Sequence, residues 1–210
     1  LTATSNITSN TESITSLKTN SVPYTGAIKS VNLGYYDLMV SGITVGRGPG
    51  TGNFGNTTLG DSALAFNASG SRNNAFGNNA LYSNTTGSNN YAFGNNALYS
   101  NIVSNANIAF GSVALKNHTT GDGNIAIGHN SLFTDITGQK NVAIGYNSLY
   151  FNTSGGSNNA VGYESLKSNT TGDENNAFGN SALLANTTGR YNASFGTNSL
   201  YSKQLYFGKI

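Results

Sequence analysis

The sequence predicts an all-β fold: a parallel β-solenoid, or β-roll, of nine 17-residue coils. Three columns of residues predict it. Glycines recur at one constant interval, as Gly60, Gly77, Gly94, Gly111, Gly128, Gly145, Gly162, Gly179 and Gly196, with no insertion. Four residues before each stands an asparagine: Asn56, Asn73, Asn90, Asn107, Asn124, Asn141, Asn158, Asn175 and Asn192. Four residues after each stands a leucine: Leu64, Leu81, Leu98, Leu115, Leu132, Leu149, Leu166, Leu183 and Leu200. A strict short period over most of a chain means one small unit stacked on copies of itself. At ~4.8 Å per coil, the nine would make a rod of roughly 43 Å.

In chain order, residues 1–20 carry Ile7, Ile14 and Leu17 at a–a–d spacing, with Asn10 at another d position. An asparagine in such a seam fixes register, so the segment reads as a short coiled-coil stalk end. It is also rich in Ser and Thr, which are poor helix formers, and a plain linker fits it equally. Residues 21–52 read as a β connector followed by a Gly-rich hinge, Gly46-Arg47-Gly48-Pro49-Gly50-Thr51-Gly52. That run lacks the Gly-Lys-[Ser/Thr] ending of a phosphate loop and the strand–helix frame of a dinucleotide site. Residues 53–202 form the repeat domain. Residues 203–210 abandon the Gly and Asn columns and read as a cap or connector.

Within one repeat, residues 73–89, Ala75-Phe76-Gly77 reads as a short strand with Phe76 on one face and Ala75 and Gly77 on the other. Asn78-Asn79 reads as a turn, and Ala80-Leu81-Tyr82 as a second short strand with Leu81 inward. Thr85-Thr86-Gly87 turns the chain into the next unit. The place before the ladder glycine is always apolar: Leu59, Phe76, Phe93, Phe110, Ile127, Ile144, Val161, Phe178 and Phe195. Two large apolar side chains per coil are therefore expected in the core. The place before each leucine is always Ala or Ser, a flat face expected to receive another chain. A repeated Asn can hydrogen-bond along a stack. Each large side chain contributes about 1.5–3 kcal/mol on burial, against roughly 1–2 kcal/mol per residue of backbone ordering. One chain's core is thin, and self-association is the expected remedy.

Composition narrows the function. Only 9% of the 210 residues are charged, the formal net charge is +2, and there are two prolines. Disordered chains are rich in charge, Pro, Glu and Lys, so the periodic apolar residues here indicate order. The absence of Cys excludes a disulfide scaffold and a thiolate zinc site. The ten basic residues are scattered, which leaves no nucleic-acid footprint. No apolar run approaches the ~20 residues of a membrane-spanning helix. Six acidic residues lie in the repeats (Asp61, Asp122, Asp135, Glu164, Asp173, Glu174) at varying places. They offer no recurring carboxylate pair for glycoside hydrolysis and no recurrent Asp for calcium. His118 and His129 stand at different repeat places without recurring partners. No enzyme activity, metal or cofactor is expected. Sequons such as Asn84-Thr85-Thr86, Asn152-Thr153-Ser154 and Asn186-Thr187-Thr188 follow from repeated Asn-Thr-Thr turns. Beginning at Leu1, the chain is expected to be a piece of something longer.

The pattern N-x-A-[FI]-G-x-x-[AS]-L is clearest in Asn124-Ile125-Ala126-Ile127-Gly128-His129-Asn130-Ser131 and Asn141-Val142-Ala143-Ile144-Gly145-Tyr146-Asn147-Ser148. Over residues 56–202 it resembles the head repeats of YadA-type trimeric adhesins, which implies a left-handed parallel β-roll assembled as a homotrimer. The repeat is longer than in that family, with the extra residues around Thr85-Thr86-Gly87, Thr119-Thr120-Gly121, Thr170-Thr171-Gly172 and Thr187-Thr188-Gly189. This 17-residue variant resembles repeats in bacteriophage tail fibres and in surface proteins of environmental bacteria. The segment from Pro23 through Gly34 to Leu38 is similar to a phage-fibre connector. Many such fibres continue into a self-cleaving chaperone, which nothing here matches.

The resemblance implies a structural and attachment segment of a trimeric surface fibre, foremost a phage tail fibre in the virion, otherwise an extracellular or cell-surface protein. Implied partners are the chain itself, other fibre or baseplate proteins, and a host-surface glycan or protein, without nucleic acid or membrane insertion. A bacterial trimeric adhesin head is the near alternative. A spacer, a self-stacking filament and an ice-binding solenoid are the others. For contacts, the sequence offers Tyr82, Tyr99, Phe133, Tyr150 and Tyr201 in the column after the leucine, and Tyr146 and Tyr163 in the column after the glycine. Aromatic faces suit sugar rings and Tyr suits recognition surfaces. The same residues suit a seam between coils or chains better still.

Overall fold

A computed structural model describes residues 38–40, 43–46, 48 and 55–202. The predicted stalk end, the cap or connector at 203–210, and most of the connector and hinge lie outside the described residues. β1 (Leu38–Val40) and β2 (Ile43–Gly46) form an antiparallel pair. Then come β3 (Thr57–Gly60), β4 (Asn74–Phe76), β5 (Tyr91–Phe93), β6 (Ile108–Phe110), β7 (Ile125–Ile127), β8 (Val142–Ile144), β9 (Asn159–Val161), β10 (Asn176–Phe178) and β11 (Ala193–Phe195). All eleven lie side by side in sequence order in one sheet, and no helix occurs among the described residues. From β3 onward the pairing is parallel at a constant offset of one repeat, as in Asn74↔Tyr91 and Phe76↔Phe93. β2 pairs antiparallel with β3, Val45 opposite Leu59, and covers the N-terminal edge. The repeats are thus a parallel β-solenoid. Its nine rungs close eight full turns between Asn56 and Asn192, and the last turn runs on to Ser202.

Each coil contains one strand, not two. Ala80-Leu81-Tyr82 is part of two consecutive tight turns, closed by Ala80 N–H to Gly77 O at 3.2 Å and Asn84 N–H to Leu81 O at 3.2 Å. Asn79 and Leu81 have φ of 55° and 52°. All nine ladder leucines share this left-handed backbone, which costs a non-glycine residue roughly 1–2 kcal/mol. Packing offsets that cost. Leu64 through Leu183 are fully buried, and the Leu81 N–H bonds to Ala97 O of the next coil at 3.0 Å.

The core also differs from expectation. It holds one large apolar side chain per coil. Strand side chains alternate, and in every coil from β4 to β10 the inward one is an alanine (Ala75 to Ala177) at 0% exposure. Among the described residues the interior holds the Leu side chains, the small columns, the Asn ladders and the buried His118 and Asp135, so the larger Phe and Ile before the glycine project outward. The Ala/Ser column before the leucine is not an outer face either. From Ala63 to Ala182 it is interior, where Ser131, Ser148 and Ser165 donate to Ala143, Ala160 and Ala177 carbonyls at 2.9, 3.2 and 3.0 Å.

Polar groups fill the rest of the interior and join the coils. Asn73, Asn90, Asn107, Asn124 and Asn141 are fully buried. Asn90, for example, accepts Asn107 N–H on Oδ1 at 3.0 Å and donates from Nδ2 to Ser104 O at 2.8 Å. At Gly77, Gly94, Gly111, Gly128 and Gly145 φ lies between 132° and 144°. A Cβ there would sit 2.3–2.6 Å from the next glycine's carbonyl oxygen, so only glycine lets the coils approach. A second interior ladder, which the repeat reading does not anticipate, joins Asn67, Asn84 and Asn101, then Asn152, Asn169 and Asn186. The sequon asparagines Asn84, Asn152 and Asn186 belong to it and face inward at 0% exposure.

Candidate functional site

The outer face of the sheet carries two columns that the strand alternation turns to solvent. One contains Leu59, Phe76, Phe93, Phe110, Ile127, Ile144, Val161, Phe178 and Phe195. Its exposure runs from half-buried to 56% at Phe110 and 70% at Phe195, which is high for aromatic side chains in a row. Its rings stack coil on coil: Phe76 on Phe93 at 4.7 Å and 5°, Phe93 on Phe110 at 5.5 Å and 27°, Phe178 on Phe195 at 5.2 Å and 3°. The other column is apolar in mid-stack, as Tyr91, Ile108, Ile125 and Val142, and polar at Thr57, Asn74, Asn159 and Asn176. The result is an apolar strip running along the stack.

The predicted contact residues lie at two corners. In the column after the leucine, Tyr82 stacks on Tyr99 at 5.0 Å, and Phe66, one place beyond that column in the preceding coil, meets Tyr82 edge-on at 4.8 Å. Farther along, Lys116 Nζ sits 5.9 Å from the Phe133 centroid, and Phe133 stacks on Tyr150 at 5.3 Å. Tyr82, Tyr99, Phe133 and Tyr150 are half-buried, and Tyr201 is exposed. In the column after the glycine, His129, Tyr146 and Tyr163 stack at 5.5 Å per step within 10° of parallel. Tyr146 and Tyr163 are nearly half exposed. Because the rings cover one another's faces, edges and hydroxyls are what they offer along the stack, and a sugar ring could stack face-on only at a column end.

Charged groups are sparse, and two ion pairs near the surface join some of them, one within a coil and one across coils. Lys167 Nζ lies 2.6 Å from Glu164 Oε1, and Arg190 lies 3.1 Å from Asp173. The Lys167 hydrogen bond, helped by one from Asn147, holds the Glu164 carboxyl below its ordinary range against the opposing effect of burial. The same hydrogen bond raises Lys167. A shallow cleft of about 230 Å³ is lined by Gln139, Lys140, Gly156, Ser157, Asp173 and Glu174. Among the described residues no group of three His, Cys, Asp or Glu could hold a metal ion.

His118 does have a partner. It stands one repeat period before Asp135, so the two occupy the same place in successive coils, inside the second Asn ladder. His118 Nδ1 lies 2.7 Å from Asp135 Oδ2, and both side chains are fully buried. A column-by-column reading of that place (Asn67, Asn84, Asn101, His118, Asp135, Asn152, Asn169, Asn186) carries the signal. Comparison with protein-family models, curated proteins and solved structures finds no match to this chain.

Proposed function

We propose that the coil stack is a structural and attachment segment of a trimeric surface fibre, such as a bacteriophage tail fibre. The observation that carries this is the unbroken outward column of nine apolar residues from Leu59 to Phe195. With rungs ~4.8 Å apart, the strip is about 38 Å long. Solitary soluble chains rarely expose contiguous apolar patches of such extent. Three chains packed through this face would bury it and add the second apolar layer that a one-leucine core lacks. The number three rests on the likeness to trimeric adhesin repeats. Attachment then falls to the corners that stay outside, where the edges and hydroxyls of Tyr82, Tyr99, Tyr146, Tyr150 and Tyr163 meet a host-surface glycan or protein.

Two observations weigh against the filament and ice-binding readings. The N-terminal edge is covered by antiparallel β2, which disfavours a filament grown by stacking coil ends in parallel register. The hydroxyls of Thr85, Thr119, Thr153 and Thr170 donate to carbonyls of the next coil at 2.9–3.1 Å, so that column is engaged within the stack and unsuited to ordering ice. Light scattering of the purified chain tests the proposal. The particle should weigh three times the 21.8 kDa of one chain, and Phe110→Glu/Ile127→Glu should reduce it to the single-chain mass. A parent chain that is monomeric at micromolar concentration would overturn it.

A further inference from the structure

The second Asn ladder runs in one direction except at one place. Asn84 Nδ2 donates back to Asn67 Oδ1 and Asn101 Nδ2 back to Asn84 Oδ1, both at 2.7 Å. Farther along, Asn169 donates to Asn152 at 3.0 Å and Asn186 to Asn169 at 2.8 Å. Between these runs His118 makes no such bond to Asn101. Its Nε2 lies 2.7 Å from Gly121 O, which can only accept, and its Nδ1 faces forward to Asp135. Asp135 Oδ1 accepts Asn152 Nδ2 from the following coil at 2.6 Å. The carboxyl group is thus bonded on both sides. The reversal would strip Asn101 Oδ1 of the donor that Asn67, Asn84, Asn152 and Asn169 receive. The Ser104 hydroxyl supplies it. Ser104 stands where the other coils have Gly70, Gly87, Gly121, Gly138, Gly155, Gly172 and Gly189.

We infer that Ser104, His118, Asp135 and Asn152 form a register key, a donor–acceptor sequence occurring once that holds the His118 coil in its place between the coils of Asn101 and Asp135. Elsewhere the ladders make coils interchangeable. A coil that skips its neighbour by one full period meets the same Asn, Gly and Leu partners, so misstacked chains lose little besides the expelled coil. Repeat proteins are prone to such misassembly. At the key, skipping has a penalty. Loss of the Asp135 coil is tolerated, because His118, donating from Nε2 to Gly121 O, has Nδ1 left to accept the Asn152 amide; loss of the His118 coil is not. Without the His118 coil, Asp135 faces Asn101, whose amide is already directed at Asn84 and Ser104. Buried polar groups that specify register are the best-attested use of such groups. The inference is independent of what the fibre binds.

Deleting single coils from the full chain tests it. Removing residues 107–123 takes out His118 and leaves the Asp135 carboxyl next to Asn101, whose amide is already engaged. Removing residues 158–174 takes out Asn169 and leaves Asn152 next to Asn186. Both deletions keep the repeat phase. The chain lacking 107–123 should melt about 10 °C below the one lacking 158–174 and refold in lower yield, the loss expected when a buried pair is broken. Adding Ser104→Gly and Asp135→Asn to it restores a uniform Asn ladder and should recover the behaviour of the other deletion. Equal melting of the two deletions would overturn the key. Should the chain lacking 107–123 fail to fold, rescue by Ser104→Gly/Asp135→Asn decides: a folded product supports the key, and an unfolded one overturns it.

Discussion

Replacing Asn141 by leucine preserves the branching and approximate size of the side chain while removing both polar atoms. Asn141 Oδ1 accepts Asn158 N–H at 3.0 Å and Asn158 Nδ2 at 3.2 Å, and its Nδ2 donates to Gly155 O at 2.8 Å. After Asn141→Leu, Asn158 Nδ2 keeps Gly172 O at 2.8 Å, and Gly155 O keeps Asn152 Nδ2 at 2.9 Å. The buried Asn158 N–H keeps nothing. An orphaned donor costs about 1–3 kcal/mol and each of the other two lost bonds about 0.5–1.5 kcal/mol, for a total of roughly 2–6 kcal/mol. For a chain of this length that lowers Tm by about 4–24 °C. The same chemistry at the end of the ladder should behave differently. Asn192 Oδ1 is buried without a partner, and Asn175 Oδ1, which Asn192 Nδ2 reaches at 2.8 Å, also holds Asn192 N–H at 3.1 Å. Asn192→Leu orphans nothing and removes an unpaired acceptor, so its stability should stay within about 1 kcal/mol of the parent. Thermal and urea unfolding followed by circular dichroism, with hydrogen exchange at the Asn158 amide, reads both variants. Equal losses at the two positions would refute this reasoning.

Leu132 is the one large interior side chain of its coil, and Leu132→Ala should cost about 2–5 kcal/mol in urea unfolding. Phe110→Ala, at an exposed site, should change the stability of a single chain by under about 1 kcal/mol and instead weaken association; the reverse order would contradict the inside-out arrangement. The Glu164–Lys167 pair predicts a pH dependence. The lowered Glu164 value contributes stability above the unfolded carboxyl pKa of about 4.3, lost as pH falls through the folded value. The raised Lys167 value contributes stability below the unfolded value of about 10.4, lost as pH rises through the folded one. Lys167→Met should therefore cost about 0.2–1 kcal/mol, constant between about pH 5 and 9 and lost as pH falls through the folded Glu164 value. An undiminished difference below that value would contradict the assignment. Finally, amides from Asn192 to Ser202 should exchange before those of Asn124 to Lys140, because Asn186 and Asn192 Oδ1 at that end receive no donor.

Much of this is legible because the repeat period is strict. Gly77 and Asn73 announce themselves by type, since few other residues satisfy a close backbone approach or a repeated interior hydrogen bond. Leu81 is legible as an inward residue but not as a left-handed one, because leucine carries no signal for positive φ. That is why the sequence suggests a strand where two turns occur. Phe76 reads as a core residue for a related reason. Apolarity marks a side chain that avoids water, and it says nothing about whether its own chain or another provides the cover. The His118–Asp135 pair is invisible while the two residues are weighed as individual ionisable groups. Their meaning lies in the repeat spacing that stacks one on the other.

Cross-linking through the sheet face tests the account most directly. The chain has no cysteine, so Ile127→Cys places a single thiol on the outer strip and Thr137→Cys places one on an exposed turn away from it. A short bis-maleimide added to each dilute protein should give covalent dimers in high yield from the Ile127→Cys chain and almost none from the Thr137→Cys chain. No product from Ile127→Cys, or equal product from both, would mean that copies of this chain do not meet through the apolar strip.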